Sequence, residues 1–260
     1  MLKGKAAVVT GSTSGIGLGI ARALGRAGCD VMMNGLGEAR EIEELRAGLA
    51  EETGVRVEFS GADMTDPEAI TGMIEAAIDA FGRIDILVNN AGIQHVAPLD
   101  KFPGDKWDAI LAVNLSSAFH ASKAALPLMR AGRWGRIINI ASTHGLVASP
   151  YKSAYVAAKH GLVGLTKVIA LETAEDGITC NAICPGYVLT PLVEKQIDEQ
   201  AASHGIPRQT VIRDIMLAVQ PNKAFVGIGH IADLAVFLCG DAASGLTGAA
   251  LPIDGGWTAR

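Results

Sequence analysis

A doubly wound α/β fold, with a parallel sheet of about seven strands and helices on both faces, is what this sequence predicts. Three observations predict it. Short β-branched or apolar runs recur along the whole chain, helix-forming stretches fill most of the gaps, and a glycine-rich turn, TGSTSGIG (10–17), joins the first run to the first helical stretch. Strand–helix alternation implies βαβ units with right-handed crossovers. At 260 residues and 49% hydrophobic content, the chain can bury the core such a sheet needs as a single domain over 1–260.

The strand runs, in order, are AAVVT (6–10), DVMMN (30–34), VRVEF (55–59), DILVN (85–89), RIINIA (136–141), ITCNAI (178–183) and AALPI (249–253). Helical patterns cover 15–28, 38–53, 67–82, 105–130 and 153–175. Residues 190–222 break the rhythm with charged helical turns punctuated by Pro191, Pro207 and Pro221. They read as a helical lid over the C-terminal edge of the sheet, where ligands bind in such folds.

Composition narrows the partners. A net charge of −5 with no basic run argues against nucleic acid. No apolar run approaches the ~18–20 residues of a membrane span. The start MLKGKAAVVTG passes directly into the first strand, which leaves no room for a signal peptide. Cys29, Cys180, Cys184 and Cys239 lack zinc-ligand spacing and read as buried free thiols, with no metal and a cytoplasmic setting expected.

Two stretches carry chemistry. In TGSTSGIG, glycines at 11, 15 and 17 let the backbone turn tightly and approach a pyrophosphate at the N-terminus of the first helix. In SAYVAAKHG (153–161), Tyr155 and Lys159 are four apart on a helix, about 6 Å along its axis and on one face. A free phenol titrates near 10, too high for efficient proton exchange at neutral pH, and a neighbouring cation lowers that value.

The ordered set Thr-Gly-x3-Gly-x-Gly (10–17), NNAG (89–92), Ser142, Tyr155 with Lys159, and PGYVLTP (185–191) resembles the short-chain dehydrogenase/reductase family over essentially the whole chain. The resemblance implies a Rossmann-type sheet with Tyr155 as catalytic acid/base. Ser142 bonds the substrate oxygen, Lys159 lowers the phenol's pKa and binds the nicotinamide ribose, and Asn114 holds a water that relays protons to Lys159. It implies cofactor contacts along Gly11, Thr13, Ser14, Gly15, Ile16 and Gly17, then at Leu36, Asp63, Asn90, Ala91 and Gly92. Further contacts follow at Tyr155, Lys159, Pro185, Gly186, Val188 and Thr190. No Arg or Lys among Ser12, Thr13 and Leu36 meets a 2′-phosphate, so NAD is the expected cofactor, with Arg40 the nearest base.

Around the catalytic set stand Gln94, His144, Lys152 and Gln196, which together suit a small anionic substrate. Lys152, three before Tyr155, is expected on nearly the same helical face. The stretches NNAGIQH, HGLVAS, KSAYVAAKHG, TPLVEKQI and DGGWTAR resemble members of the family that oxidise D-3-hydroxybutyrate to acetoacetate. In those enzymes the matching Gln, His, Lys and Gln hold the carboxylate, and Tyr187 and Trp257 fall where aromatic groups enclose the methyl end. This chain reads Tyr187, Val188, Leu189 where they usually read Trp-Val-Arg, and QPNKAFVGIGH (220–230) also diverges. The other readings are a 3-oxoacyl thioester reductase, a dehydrogenase for another small hydroxy acid, and a non-catalytic dinucleotide sensor. The small residues along 153–171, with the resemblance, imply a homotetramer.

Overall fold

The computed structural model describes residues 2–259; Met1, Arg260 and the side chains of Pro191, Leu192, Lys195, Gln196 and His204 lie outside the described residues. Within them, β1 (Ala6–Val9), β2 (Asp30–Asn34), β3 (Val57–Ser60), β4 (Ile86–Asn89), β5 (Gly135–Ile140), β6 (Ile178–Pro185) and β7 (Ala250–Ile253) form one seven-stranded parallel sheet. The order is β3-β2-β1-β4-β5-β6-β7. Because β1 lies between β2 and β4, the connections after β1 and β4 leave in opposite directions and open a crevice at their C-terminal ends.

Alternate strand residues feed opposite layers. Val9, Val88, Ile138 and Ile183 pack with Ile20 and Leu24 of α1 (Gly15–Arg26) and with Ile231, Ala235 and Leu238 of α9 (Ile228–Cys239). Val8, Leu87, Ile137 and Cys180 face α3 (Pro67–Phe81), α5 (Ser117–Ala131) and α6 (Ser153–Glu172) through Ile70, Ile74, Ala121, Met129 and Ile169. Burying each such Ile, Leu or Val contributes roughly 1.5–3 kcal/mol. α2 (Ala39–Thr53) flanks α1 and ends at Gly54, whose φ of 71° needs no side chain in the way. Asp66 caps α3 by accepting from the Glu68 amide at 2.9 Å, and Pro67 starts the helix. All four cysteines are buried and unpaired.

The structure corrects the sequence reading in four places. The helix expected over 105–130 is α4 (Gly104–Leu111), a π-helical turn (Ala112–Ser116) and α5. The Ser117 amide reaches back five residues to Ala112, and the passed-over Val113 carbonyl accepts the Ser117 hydroxyl at 2.6 Å. This turn buries Asn114. Lys152 is not on the helix: it caps α6 from outside with φ −122° and ψ 37°, after Tyr151 in the left-handed region at φ 67°. α6 itself, at 20 residues and a mean hydropathy of 1.2, is long and apolar enough by composition to cross a membrane, contrary to the expectation; here Ala154, Ala158, Leu162 and Ile169 of it are buried in the fold. Finally, α9 is a helix to which the sequence reading assigned no element. It lies so close to α1 that a Cβ on Gly19 would fall 2.2 Å from Ile228 Cγ2.

The segment expected to be helical, 190–222, is so. α7 (Pro191–His204) is followed by α8 (Arg208–Thr210), a π-helical turn (Val211–Ile215) and a 3₁₀ turn (Met216–Val219). Ile197, Val211 and Met216 make a small core there, with Tyr187 and Phe225 packed against it.

Candidate active site

The glycine turn after β1 is strapped from both sides. Asn34, at the end of β2, accepts from the Gly11 amide at 3.2 Å and donates to Ser60 and Ala62 carbonyls at 3.0 and 2.9 Å. Asn90 donates to the Thr10 and Gly11 carbonyls, each at 2.9 Å. A Cβ on Gly17 would lie 2.3 Å from the Gly11 carbonyl oxygen and 2.4 Å from Asn90 Nδ2, so only glycine lets α1 begin here. Ser14 heads α1 without a side-chain cap, which leaves the first-turn N–H groups of that helix for an anion.

Beside the turn, a groove of about 340 Å³ is lined by Gly35, Leu36, Gly37, Ala39, Ile42, Glu43, Phe59 and Gly61. An uncapped helix start beside an apolar groove fits a dinucleotide, pyrophosphate on the amides and adenosine in the groove. Leu36 is largely exposed on the rim. Asp63 accepts from the Thr65 amide and hydroxyl at 2.8 and 2.9 Å, and those bonds hold its carboxyl below the usual range. Arg40 is directed to Glu44, 3.4 Å away on the next turn of α2.

At the C-terminal ends of β4 to β6, Ala91 follows Asn90 with its amide on the Thr10 hydroxyl at 3.0 Å, and Gly92 lies against Asn114. Asn114 accepts from the Ile93 amide at 2.8 Å and donates to its carbonyl at 2.9 Å, so its amide pins the loop after β4. Gly186 donates to Ile253 at 3.0 Å, Val188 is buried beside Val226, and Thr190 caps α7. Ile16 packs on the core beneath the turn.

The catalytic candidates converge. Ser142 follows β5 and its Oγ accepts from the His144 amide at 3.1 Å. Lys159 is buried, donates to the Ile140 carbonyl at 2.7 Å, and has its ammonium 5.7 Å from the centre of the Tyr155 ring. Burial lowers Lys159 to about 8. The net shift on the phenol is upward, because its burial outweighs the opposing contributions. Burial raises Tyr155 above its ordinary value, with a hydrogen-bonding contribution from Ser142 working the other way.

The substrate candidates surround this set unequally. His144 places its ring edge-on to Tyr155 and to Trp257, with centroids 6.0 and 5.2 Å apart. Its Nε2 pairs with Ser149 Oγ at 2.7 Å, and desolvation, reinforced by Lys152 and His160, lowers it to about 4, so it is neutral at pH 7. Tyr187 and Trp257 stack, 5.6 Å apart with planes at 13°. Lys152 holds its ammonium 5.8 Å over the Tyr187 ring; burial lowers its pKa, and no carboxylate among the described residues offsets that. Gln94 is exposed, and the Gln196 side chain lies outside the described residues. The sequence reading passed over Asn34, Ser149 and Gln220. Asn34 alone carried a signal, as a polar residue ending an apolar strand.

The family model described as "Enoyl-(Acyl carrier protein) reductase" matches residues 11–258. The chain is 56% identical to the D-beta-hydroxybutyrate dehydrogenase of Rhizobium meliloti (strain 1021), covering 98% of this chain and 99% of that one. It is 55% identical to the enzyme of the same name from Cupriavidus necator, covering all of both. Among solved structures, L-sorbose reductase from Gluconobacter frateurii, complexed with NADPH and L-sorbose, superposes with a TM-score of 0.94 at 31% identity, covering 100% of this chain and 98% of that one. With a glycine turn opening α1, a Ser–Tyr–Lys set at the end of the sheet, and relatives matched end to end, the chain belongs to the short-chain dehydrogenase/reductase family of oxidoreductases.

Proposed function

We propose that the protein oxidises D-3-hydroxybutyrate to acetoacetate, reversibly, with NAD as cofactor. One observation carries the substrate: a desolvated lysine with no carboxylate partner among the described residues stands beside a neutral histidine and two stacked aromatic rings. A half-buried ammonium is costly until a counter-ion arrives. A short hydroxy acid supplies that anion at one end and a methyl for the rings at the other. The relatives named D-beta-hydroxybutyrate dehydrogenase support the same assignment.

Ser142 holds the substrate's C3 oxygen, and Tyr155 takes its proton as the C–H bond breaks. NAD, when bound along the glycine turn and the groove beside it, would supply the hydride acceptor. Lys159 keeps its ammonium beside the phenol through its bond to Ile140. Its burial means protons reach solvent by relay, the role we assign to Asn114. Lys152 holds the carboxylate with His144 as a neutral partner, and Gln94 joins that shell. The cofactor contacts are those expected from the sequence.

Incubated with NAD and D-3-hydroxybutyrate, the protein should form NADH and acetoacetate. NAD should be preferred over its phosphorylated form by at least ~2 kcal/mol, roughly thirtyfold, because none of Ser12, Thr13 and Leu36 offers a base to the ribose edge. No turnover of 3-hydroxybutyrate beside good turnover of a neutral secondary alcohol would refute the substrate; equal use of both cofactors would show that a base reaches the ribose.

The assembly we infer is a homotetramer. Val168 and Leu171 of α6 and Phe119 of α5 are apolar and exposed, which leaves these helices in need of a second subunit. Light scattering at micromolar concentration should give four times the 26.9 kDa chain mass, and a monomer would contradict it.

A further inference from the structure

The turn Gln220–Pro221–Asn222 touches both segments that carry the stacked rings. Gln220 is fully buried, yet both ends of its amide are satisfied by backbone. Its Oε1 accepts from the Tyr187 amide, and its Nε2 donates to the Ala224 carbonyl at 2.7 Å. Tyr187 is held on its other side as well, its carbonyl accepting from Val226 at 2.8 Å. Two residues on, the Asn222 amide donates to the Gly255 carbonyl at 3.3 Å, two residues before Trp257.

Glycines make both approaches possible. A Cβ on Gly186 would fall 2.5 Å from Gln220 Oε1, and one on Gly255 would fall 2.2 Å from Asn222 Oδ1. Asp254 completes the Trp257 side by accepting from the Gly256 amide at 3.0 Å and the Thr258 amide at 2.8 Å. A buried amide that ties its own turn to the Tyr187 segment fixes their register, since any slip leaves polar groups unpaired in a dry site, and the Asn222 amide ties the same turn to Gly255.

We propose that Gln220 is a positioning residue that, through the Tyr187 amide, sets the placement of the Tyr187–Trp257 wall and so the length of the acid accepted. This rests on the hydroxy-acid reading above. Gln220 acts through Tyr187 and hydrogen-bonds no member of the Ser142–Tyr155–Lys159 set, although its Oε1 backs onto Gly186, one of the expected cofactor contacts. Loosening it therefore alters recognition of the acyl tail and leaves the proton and hydride steps alone.

The test uses Gln220→Met, which keeps length and burial but removes both hydrogen bonds, and Gln220→Glu, which keeps the oxygen that takes the Tyr187 amide. Two readouts are compared with the parent: amide hydrogen exchange at Tyr187, and kcat and KM for 3-hydroxy acids of four, five and six carbons. In Gln220→Met, exchange at Tyr187 should accelerate, KM for 3-hydroxybutyrate should rise roughly fivefold, the ratio set by one net hydrogen bond, and the preference for four over six carbons should shrink by a similar factor. The kcat for the four-carbon acid should hold. Gln220→Glu should keep Tyr187 protected and most of the length preference, and it serves alone if the methionine variant does not fold.

Unchanged exchange at Tyr187 in Gln220→Met, or unprotected Tyr187 in folded Gln220→Glu, overturns the proposal. So does an equal loss on every acid length together with a lowered kcat, the pattern of general destabilisation. A parent inactive on all hydroxy acids would sink the substrate reading, while the exchange measurement still decides whether Gln220 anchors Tyr187.

Discussion

Tyr155→Phe should lower turnover by at least about 10³, near the top of the range for a general acid/base, while NAD still binds. The substitution keeps the ring, and therefore the edge contact with His144 and the packing of α6, and removes only the transferable proton. No other hydroxyl replaces it. Ser142 accepts from the His144 amide and keeps its O–H for the substrate oxygen, but a serine is too weak an acid to exchange protons at neutral pH. Lys159 is buried against the Ile140 carbonyl, which fixes its ammonium beside the ring instead of at the substrate oxygen. In the structure burial holds the phenol above its ordinary value, so the proton moves to it only where nearby positive charge, such as that of Lys159, offsets the burial. Steady-state turnover and NAD titration by protein fluorescence check both halves. Turnover within tenfold of the parent would end the assignment of Tyr155 as acid/base.

The sheet and its crevice were legible because parallel strands covered on both faces read as unbroken apolar runs, and because the glycine turn has one physical use at that position. The Tyr155–Lys159 spacing was legible because helical periodicity alone puts the two on one face. What escaped the reading depends on backbone detail that no composition encodes. The π-helical turn at 112–116 shifts one hydrogen bond and uses ordinary helix-tolerant residues. Lys152 follows a left-handed Tyr151, and nothing in PYKSAY announces a positive φ at a tyrosine. α9 begins at Ile228 directly behind the divergent loop, with Gly227 in place of a polar cap, so its start carried no signal. Gln220 escaped for another reason: a lone glutamine before a proline reads as surface, and only the folded chain shows it fully buried between two strand ends.

Lys152→Ala should reduce kcat/KM for 3-hydroxybutyrate by roughly 10- to 150-fold, the equivalent of one charge-assisted hydrogen bond worth about 1.5–3 kcal/mol. The effect on an uncharged secondary alcohol should be far smaller, because Lys152 contacts the wall and not the catalytic set. His144 does not supply the charge at neutral pH: burial, with Lys152 and His160 nearby, lowers it to about 4. The same geometry sets a pH signature. Burial lowers Lys152 below the ordinary lysine value, so in the free enzyme its charge is present at neutral pH and is lost as pH rises, earlier than for an exposed lysine. The affinity for the carboxylate should fall along that limb, and a bound carboxylate, by favouring the charged form, should move the limb to higher pH. Lys159 titrates on the alkaline side too, near 8, but its loss affects acid and alcohol substrates alike. The ratio of kcat/KM for the hydroxy acid to that for the alcohol isolates Lys152. In the parent that ratio should decline as pH rises; in Lys152→Ala it should be low and flat. Equal losses on both substrates, or an alanine variant whose ratio still falls with pH, would place the carboxylate's partner elsewhere.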